Sequence, residues 1–351
     1  MEKVNGIEIM TSVKWKCPSN IAIVKYWGKK ANQIPCNSSL SLTLAHACTE
    51  TEVSLSAKSS DGVIELDYFF EGSKNEMFGA RVEKYLAANI ESFPFLRENA
   101  LTIQSSNNFP HSAGIASSAS AFGAIALALL DLRYQDAERP SQEIFLREAS
   151  HIARLASGSA CRSIFPDYAL WGENARVPNS SNLHAIPVTE IHEEFEGMND
   201  TILVIEDEPK KVSSSAGHSL MQEHPYAFER FRQANDRVRY LVDILKNGDI
   251  SAFIEICESE ALTLHAMMMT SKNYYLLMKA HTIDVIEKIF DFRSETKIPV
   301  AFTLDAGPNV HLLYPKKYRE SVQEFVQMEL AEMCKGVIHD HAGRGPMKMN
   351  N

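Results

Sequence analysis

The chain has 351 residues, 45% hydrophobic and 23% charged, so it can bury a sizeable core and is long for one domain. Its formal net charge of −10 gives no electrostatic support for binding nucleic acid or an acidic membrane. The six cysteines form no CxxC pair, the N-terminus lacks a signal-peptide core, and no uncharged apolar run could span a bilayer. These features predict a cytoplasmic protein with free thiols.

The hydrophobic pattern predicts a mixture of strands and helices. In the first half we expect strands at 21–26, 39–44, 51–56, 63–69, 101–104 and 182–188, and helices at 75–88, 116–132 and 141–157. In the second half we expect strands at 201–206, 300–304 and 310–314, and helices at 227–246, 250–268, 283–292 and 317–334. The polar segment 191–200 suggests two domains, 1–195 and 196–351, and the tail after Pro346 is expected to be loose. Without regular βαβ alternation, the predicted class is α+β.

A loop rich in small residues runs into the helix expected near Ala116. Helix N-termini expose unpaired N–H groups and bind phosphate, and Gly114 would let the backbone approach a ligand closely. Ser117 or Ser118 could offer a hydroxyl to a phosphate or to Mg²⁺. No lysine follows the glycine as it does in a P-loop. The alternative is a tightly packed helix with a serine N-cap, and composition does not decide between the two.

Cationic side chains occur in two further segments. Lys25 and Lys29 follow an apolar strand and would share one face if the strand continued past Val24. They would then bind phosphate or carboxylate, and the alternative is a solvated strand end. Arg162 follows a hydroxyl-rich turn at 157–159 and could hold an anion bidentately. There the alternative is an ordinary helix end with Gly158 as its C-cap signal.

Two acidic residues in the second half are considered as site residues. Asp305 follows an apolar strand and precedes a Gly-Pro turn, a usual place for a general base, although the segment taken alone favours an Asx-turn aspartate. Asp340 lies between His339 and His341, but no second cluster has metal-ligand spacing, so zinc is not expected. The hydroxyl-rich loop 210–218 is a weaker phosphate-binding candidate.

The order of these segments resembles that of the diphosphomevalonate decarboxylases of the GHMP-kinase superfamily. The matching segments, within 12–346, are NIAIVKYWGKK, NSSLSLTL, NNFPHSAGIASSASAF, SGSACRS, VSSSAG and TLDAGPNV. The resemblance implies a two-domain GHMP fold with its active site between the domains, and a homodimer. It also implies a reaction: ATP, with Mg²⁺, phosphorylates the 3-hydroxyl of 5-diphosphomevalonate, and loss of phosphate and CO₂ gives isopentenyl diphosphate.

The resemblance also implies roles for individual residues. Asp305 is the base at the 3-hydroxyl, Arg162 holds the substrate carboxylate, and Lys25 neutralises charge beside the transferred phosphate. The residues matching those around the diphosphate and mevalonyl groups are Tyr26, Lys29, Ser157, Ser159 and Ser214. Those matching the ATP phosphate loop are Asn108, Pro110, Ser112, Gly114, Ala116, Ser117 and Ser118, with Ser118 as the Mg²⁺ contact.

The chain departs from the family pattern near the substrate segments. The positions concerned are His111 and Ser112 (usually Thr and Ala), Ala156 (usually Gly), Pro166 and Asp167 (commonly two glycines), and Ser215 and Ala216, where some bacterial relatives have an Arg. These differences keep open a relative that acts on 5-phosphomevalonate or on a bisphosphorylated mevalonate. The further alternatives are a kinase that does not decarboxylate and a non-catalytic GHMP-fold protein.

Overall fold

The computed structural model describes residues 3–4, 7–8, 10–59, 64–110, 115–135, 137–207 and 214–350. The strands are β1 (Lys3–Val4), β2 (Ile7–Glu8), β3 (Thr11–Val24), β4 (Ser39–Ala57), β5 (Leu66–Phe70), β6 (Ser73–Lys74), β7 (Asn99–Asn107), β8 (Tyr168–Trp171), β9 (Ala185–Val188), β10 (Asn199–Val204), β11 (Ala301–Leu304), β12 (Val310–Tyr314), β13 (Gly336–His341) and β14 (Met347–Met349). The helices are α1 (Glu76–Ala88), α2 (Ser117–Arg133), α3 (Gln142–Ala156), α4 (Ser214–Leu220), α5 (Ala227–Asn247), α6 (Ile250–Met269), α7 (Ala280–Thr296) and α8 (Arg319–Phe325).

Two sheets organise the chain. The first has the order β14-β3-β4-β7-β5-β6, and β8 and β9 extend it from β4. The second, β11-β12-β10-β13, is antiparallel throughout. The predicted α+β class is therefore confirmed. In the described part of the chain, no helix is long and apolar enough to cross a bilayer.

Helix α2 forms the centre of the first half. It packs on β3 and β4, and every residue from Ala119 to Leu132 is buried. A helix that is apolar on all sides belongs inside a core. Its small side chains (Ala119, Ala124, Ala126 and Ala128) let it lie close to the long strands. The expected small-residue helix is thus present, and its N-terminus points out of the core.

Helix α6 joins the two halves, because it packs against β11 of the second sheet and also contacts β3 of the first. One apolar cluster is continuous across both sheets, with Ile21 and Leu40 from the first and Ile202 and Leu313 from the second. The ends of β3 and β11 consequently lie near each other. The division into 1–195 and 196–351 stays a prediction, and β14 returns from the far part of the chain to pair with β3.

Several expected boundaries were wrong. The strand expected at 21–26 ends at Val24, and the strands expected at 39–44 and 51–56 are one strand, β4. The segment after Pro346 is not loose, because Met347–Met349 pairs with β3. The segment expected as one helix at 317–334 is α-helical only to Phe325, the end of α8. A π-helical turn at Val326–Leu330 and a 3₁₀ turn at Ala331–Met333 follow. Strands β8 and β13 were not expected at all.

Candidate active site

A cavity of about 230 Å³ lies where the first sheet meets α6 and the end of β11. The predicted site residues that line it are Lys25, Tyr26, Lys29, Ala116, Ser118, Ser157, Ser159, Arg162 and Asp305. A larger groove of about 840 Å³ lies between α5 and α6, and no residue predicted for the site lines it. The structure therefore brings together residues from four separate sequence segments in the smaller cavity.

Lys25 and Asp305 form an ion pair in the wall of the cavity. Lys25 is 2% exposed, and its Nζ donates to the Ala22 carbonyl at 2.6 Å and to Asp305 Oδ1 at 3.5 Å. Asp305 directly follows β11, as expected from its strand-end position, and its side chain is 29% exposed. The neutral imidazole of His265, whose pKa burial lowers to about 4, donates from Nε2 to the Asp305 carbonyl at 3.1 Å. A partly open carboxylate beside a buried ammonium can accept a proton from a bound hydroxyl.

A buried ionic cluster holds the backbone of Lys25. Its amide N–H donates to Glu260 Oε2 at 2.9 Å, and Glu260 on α6 has no solvent exposure. Arg230 binds both oxygens of this carboxylate, at 2.8 and 2.6 Å, and Arg237 binds Oε1 at 2.7 Å. Charge-assisted contacts to a buried carboxylate have little freedom. They position Lys25 from the second half of the chain.

Arg162 lies in the helical turn that follows α3. Its Nη1 donates to Ser39 Oγ at 2.6 Å, and its Nε donates to Ser41 Oγ. The guanidinium is buried, and burial lowers its pKa, yet no carboxylate lies within ion-pair distance among the residues that the structure describes. A buried guanidinium without a counterion is costly unless an anion binds there. The anion site proposed for this turn is therefore favoured over an ordinary helix end, because Gly158 follows the C-cap Ser157 without a positive φ and begins the next helical turn.

The N-terminus of α2 opens at the cavity. Its N-cap is Ala116, in the left-handed region with φ 40°, and within the described ranges no side chain caps the first turn. The alternative of a packed helix with a serine N-cap is therefore wrong. Ser118 Oγ lies 3.5 Å from Ser157 Oγ across the cavity rim. Uncapped N–H groups, the helix dipole and a nearby hydroxyl together make a phosphate site.

Some predicted residues lie elsewhere. Asn108 accepts from the Cys48 N–H at 2.8 Å and donates to the His46 carbonyl at 2.6 Å, so it holds a turn of β4. Pro110 and Ser117 do not line the cavity. The residues Ser112, Gly114 and His111, and the side chain of Ser214, lie outside the described part of the chain. Lys25 and Lys29 do not share a strand face, because the strand ends at Val24 and Gly28 turns the chain with φ +92°.

Sequence reasoning missed Asn20, Trp27, Gln33, Arg81 and His218, which also line the cavity. His218 on α4 accepts the Gly28 N–H at Nδ1 (3.0 Å) and packs on Tyr26 and Trp27, with ring centroids 4.3 and 4.9 Å away. Burial, and then Lys29 and Arg162, lower its pKa to about 3. The ring is therefore neutral, and its proton is on Nε2. The loop 210–218 was a candidate for phosphate binding, but no local pattern indicated His218 as a site residue.

The cavity is cationic although the chain is acidic. Among the residues that the structure describes, its charged lining comprises Lys25, Lys29, Arg81 and Arg162 against one carboxylate, Asp305. Burial and the charge of Arg81 lower the pKa of Lys29, which donates to Gln33 at 3.0 Å. The buried hydroxyl of Tyr26 has no hydrogen-bond partner within the described ranges. An excess of cations with unsatisfied donors is what a polyanionic ligand requires.

Comparisons with known proteins agree with this geometry. Residues 17–182 match the family model described as diphosphomevalonate decarboxylase-like N-terminal domain, and residues 201–343 match mevalonate 5-diphosphate decarboxylase C-terminal domain. A curated diphosphomevalonate decarboxylase of Debaryomyces hansenii is 31% identical over 318 residues, covering 87% of this chain and 80% of that protein. The chain belongs to the diphosphomevalonate decarboxylase family. The Saccharomyces cerevisiae diphosphomevalonate decarboxylase is also 31% identical, with 88% and 79% covered.

Solved structures of the family have the same architecture. The mevalonate diphosphate decarboxylase of Staphylococcus aureus superposes with a TM-score of 0.84 at 26% identity, covering 97% of this chain and 98% of that one. A structure described as MDDEF in complex with MVAPP, AMPPCP and magnesium has a TM-score of 0.81 at 27% identity, with 97% and 99% covered. The GHMP-kinase fold expected from the sequence is therefore confirmed for this member of the diphosphomevalonate decarboxylase family.

Proposed function

We propose that this chain catalyses the ATP-dependent decarboxylation of (R)-5-diphosphomevalonate to isopentenyl diphosphate, CO₂, ADP and phosphate. The observation that carries the proposal is the pairing of Lys25 with Asp305 at 3.5 Å in one cationic cavity with the buried Arg162. A base, a charge-neutralising ammonium and an anchor for a carboxylate are what phosphorylation followed by decarboxylation needs. Family membership supports the same reaction.

The chemistry assigns one task to each of these groups. Asp305 accepts the proton of the 3-hydroxyl as its oxygen attacks the terminal phosphorus of ATP, and ADP leaves. Lys25 neutralises charge that gathers on the transferred phosphoryl group. The C–O bond to phosphate then breaks with its electron pair, which leaves a carbocation-like tertiary centre. Electrons of the bond to the carboxylate form the new double bond, and CO₂ departs while Arg162 orients that carboxylate.

The diphosphate end of the substrate is proposed to lie against the remaining donors. Lys29 and Arg81 supply charge, Ser157 and Ser159 supply hydroxyls, and the neutral His218 supplies an Nε2–H. The orphaned hydroxyl of Tyr26 would gain a partner there. These groups converge from separate elements, so a ligand must present several oxygens at once to satisfy them.

ATP and Mg²⁺ fit the uncapped N-terminus of α2. Its free N–H groups would hold phosphate oxygens, and the Ser118 hydroxyl would be the protein's contact to the ion, which supplies charge neutralisation on the phosphates. Ala116, Ser117 and Ser118 present no bulky side chain in that turn. The predicted phosphate-loop roles of Asn108, Pro110, Ser112 and Gly114 stay predictions.

The test replaces Asp305 with asparagine, which keeps the shape of the side chain but removes the base. We expect CO₂ release to fall by about 10²- to 10⁴-fold, with ATP binding retained. Turnover is measured with ATP, Mg²⁺ and 5-diphosphomevalonate as released CO₂ and phosphate. The control is Asp291→Asn, an exposed aspartate of α7, which should leave turnover unchanged. Wild-type activity in Asp305→Asn would contradict the assigned role.

The same assay separates the alternatives on the substrate. Faster turnover of 5-phosphomevalonate would replace the diphosphate as the substrate, whereas phosphorylation without CO₂ release would indicate a kinase. We further propose that the chain works in the cytoplasm as a homodimer on small molecules alone. The family resemblance supports this arrangement, and light scattering on the purified protein tests the dimer.

A further inference from the structure

A cluster of metal-ligand side chains lies where the two sheets meet, away from the catalytic cavity. His46 comes from β4, whereas Asp340 and His341 come from the end of β13. One ring nitrogen of each histidine and one carboxylate oxygen all lie within 4.8 Å of one another. None of the three residues lines the catalytic cavity.

The carboxylate of Asp340 is fixed in place and 2% exposed. Its Oδ1 accepts the N–H groups of Ala45 at 3.0 Å, His46 at 2.9 Å and His341 at 2.7 Å. Its Oδ2 accepts the Ala47 N–H at 2.7 Å and no other donor from the described part of the chain. Because a carboxylate oxygen has two lone pairs, Oδ2 keeps one for a further partner. Four backbone donors, three on Oδ1 and one on Oδ2, therefore orient the carboxylate and leave Oδ2 with free acceptor capacity.

The two imidazoles are placed around that oxygen. The backbone of His46 is held on both sides, because its N–H binds Asp340 and its carbonyl accepts from Asn108 at 2.6 Å. The His46 side chain is exposed, and its ring centroid lies 4.9 Å from that of His341. Solvent can thus deliver an ion to a partly preformed site.

The Nδ1 atom of His341 provides an independent observation. It is buried and has no hydrogen-bond partner among the residues that the structure describes. Buried polar atoms in native proteins almost always have a partner. A neutral imidazole nitrogen that lacks a proton donor is the commonest metal ligand in proteins. The described part of the chain supplies no donor here, and a bound ion would satisfy this ring.

We propose that His46, Asp340 and His341 form a divalent-metal site suited to zinc, which fastens the first sheet to the second. Two imidazole nitrogens and one carboxylate oxygen, with water as the fourth ligand, make a tetrahedral set. Zinc bonds of about 2.0–2.2 Å need ligand atoms about 3.3 Å apart, so the exposed His46 ring closes onto the ion by rotation. Sequence spacing cannot reveal this site, because 294 positions separate His46 from Asp340.

The test titrates zinc chloride into the full chain after chelator treatment, with heat and melting temperature as readouts. We expect one zinc per chain with a micromolar or tighter Kd, and a melting temperature that rises with zinc. His46→Ala and His341→Ala should each weaken binding at least tenfold. His339→Ala is the matched control, since His339 is on the same strand but binds Thr201 Oγ1 at 3.1 Å and is outside the cluster.

Several results would overturn the site. They are no saturable heat at 100 µM zinc, equal affinity in wild type and both ligand variants, or the same loss in His339→Ala. If a variant fails to fold, X-ray absorption on the zinc-loaded wild type decides. Two imidazoles with oxygen support the site, whereas a sulfur ligand assigns the zinc to one of the cysteines instead. None of these readouts depends on decarboxylation.

Discussion

Replacing Glu260 with glutamine removes the charge from the carboxylate that holds Lys25. Glu260 has no solvent exposure and binds Arg230 and Arg237 as well as the Lys25 N–H. Glutamine keeps the shape but leaves two guanidiniums without a counterion. Breaking a buried ion pair in this way costs about 3–5 kcal/mol, a large part of the roughly 5–15 kcal/mol that stabilises a domain.

The same substitution should impair catalysis, because the single amide oxygen of glutamine cannot accept from the Lys25 N–H and from both guanidiniums, as the two carboxylate oxygens do. A displacement of about 1 Å in a catalytic group lowers turnover on the order of 10²-fold. The ammonium itself is untouched, so the loss should fall on kcat more than on ATP binding. Glu260 thus acts as a positioning residue through the backbone of Lys25.

The assay combines chemical denaturation with CO₂ release. Glu258→Gln is the control: Glu258 is on the same helix and binds Arg293 at 2.5 Å, but it does not line the cavity. This control should lose stability and keep its kcat. If Glu260→Gln keeps wild-type kcat under conditions where it is folded, the positioning argument is wrong.

The pH dependence gives a second readout of the Glu260 cluster. Burial by itself raises the pKa of this carboxyl, but Arg230 and Arg237 outweigh burial and hold the pKa below its ordinary value. The cluster therefore stabilises the fold above the pKa of an unfolded glutamate, about 4.3, and is lost as the pH falls through the lower folded pKa. Glu260→Gln should make the acid limb of the stability profile shallower.

Two further predictions concern His218 and the β14 segment. The folded pKa of His218, about 3, lies below the unfolded value of about 6.5, so unfolding takes up a proton in between. Wild type should therefore lose about 1 kcal/mol more stability than His218→Gln between pH 6.5 and 5.5. An equal loss would show that His218 is protonated in the fold. Deleting residues 347–351 removes β14 and the Lys348–Asp131 ion pair of 3.0 Å. The melting temperature should fall while kcat/KM is kept, and a loss of activity would contradict a purely structural role for this strand.

The residues that meet in the cavity could be singled out because each lies beside a local pattern, although each pattern alone left an alternative open and the proposed roles came from the family resemblance. Asp305 follows an apolar strand, Arg162 follows a hydroxyl-rich turn, and Ala116 begins a helix of small residues. Such patterns need only a few neighbouring positions to be recognised. Strand ends, turns and helix starts were accordingly found, although their bounds moved by several residues.

The supporting residues could not be predicted, because their roles depend on contacts between distant parts of the chain. Glu260 meets the Lys25 N–H across 235 positions, and Gly28 meets His218 across 190. For the same reason, the sequence did not predict that β4 is one continuous strand. Its middle carries the polar His46, and the N–H groups there are bound by Asp340, far along the chain. No local periodicity carries such information.

The pairing of Met347–Met349 with Lys14–Lys16 has a consequence for biosynthesis. A ribosome makes β3 early and β14 on the order of 15–60 s later, at about 5–20 residues/s. Throughout that interval one edge of β3 has unpaired N–H and C=O groups, with which other nascent chains can pair. Such unpaired edges are a known route to aggregation. A chaperone that binds nascent chains on the ribosome and covers this edge of β3 should therefore raise the yield of native protein more than a chaperone that acts after release.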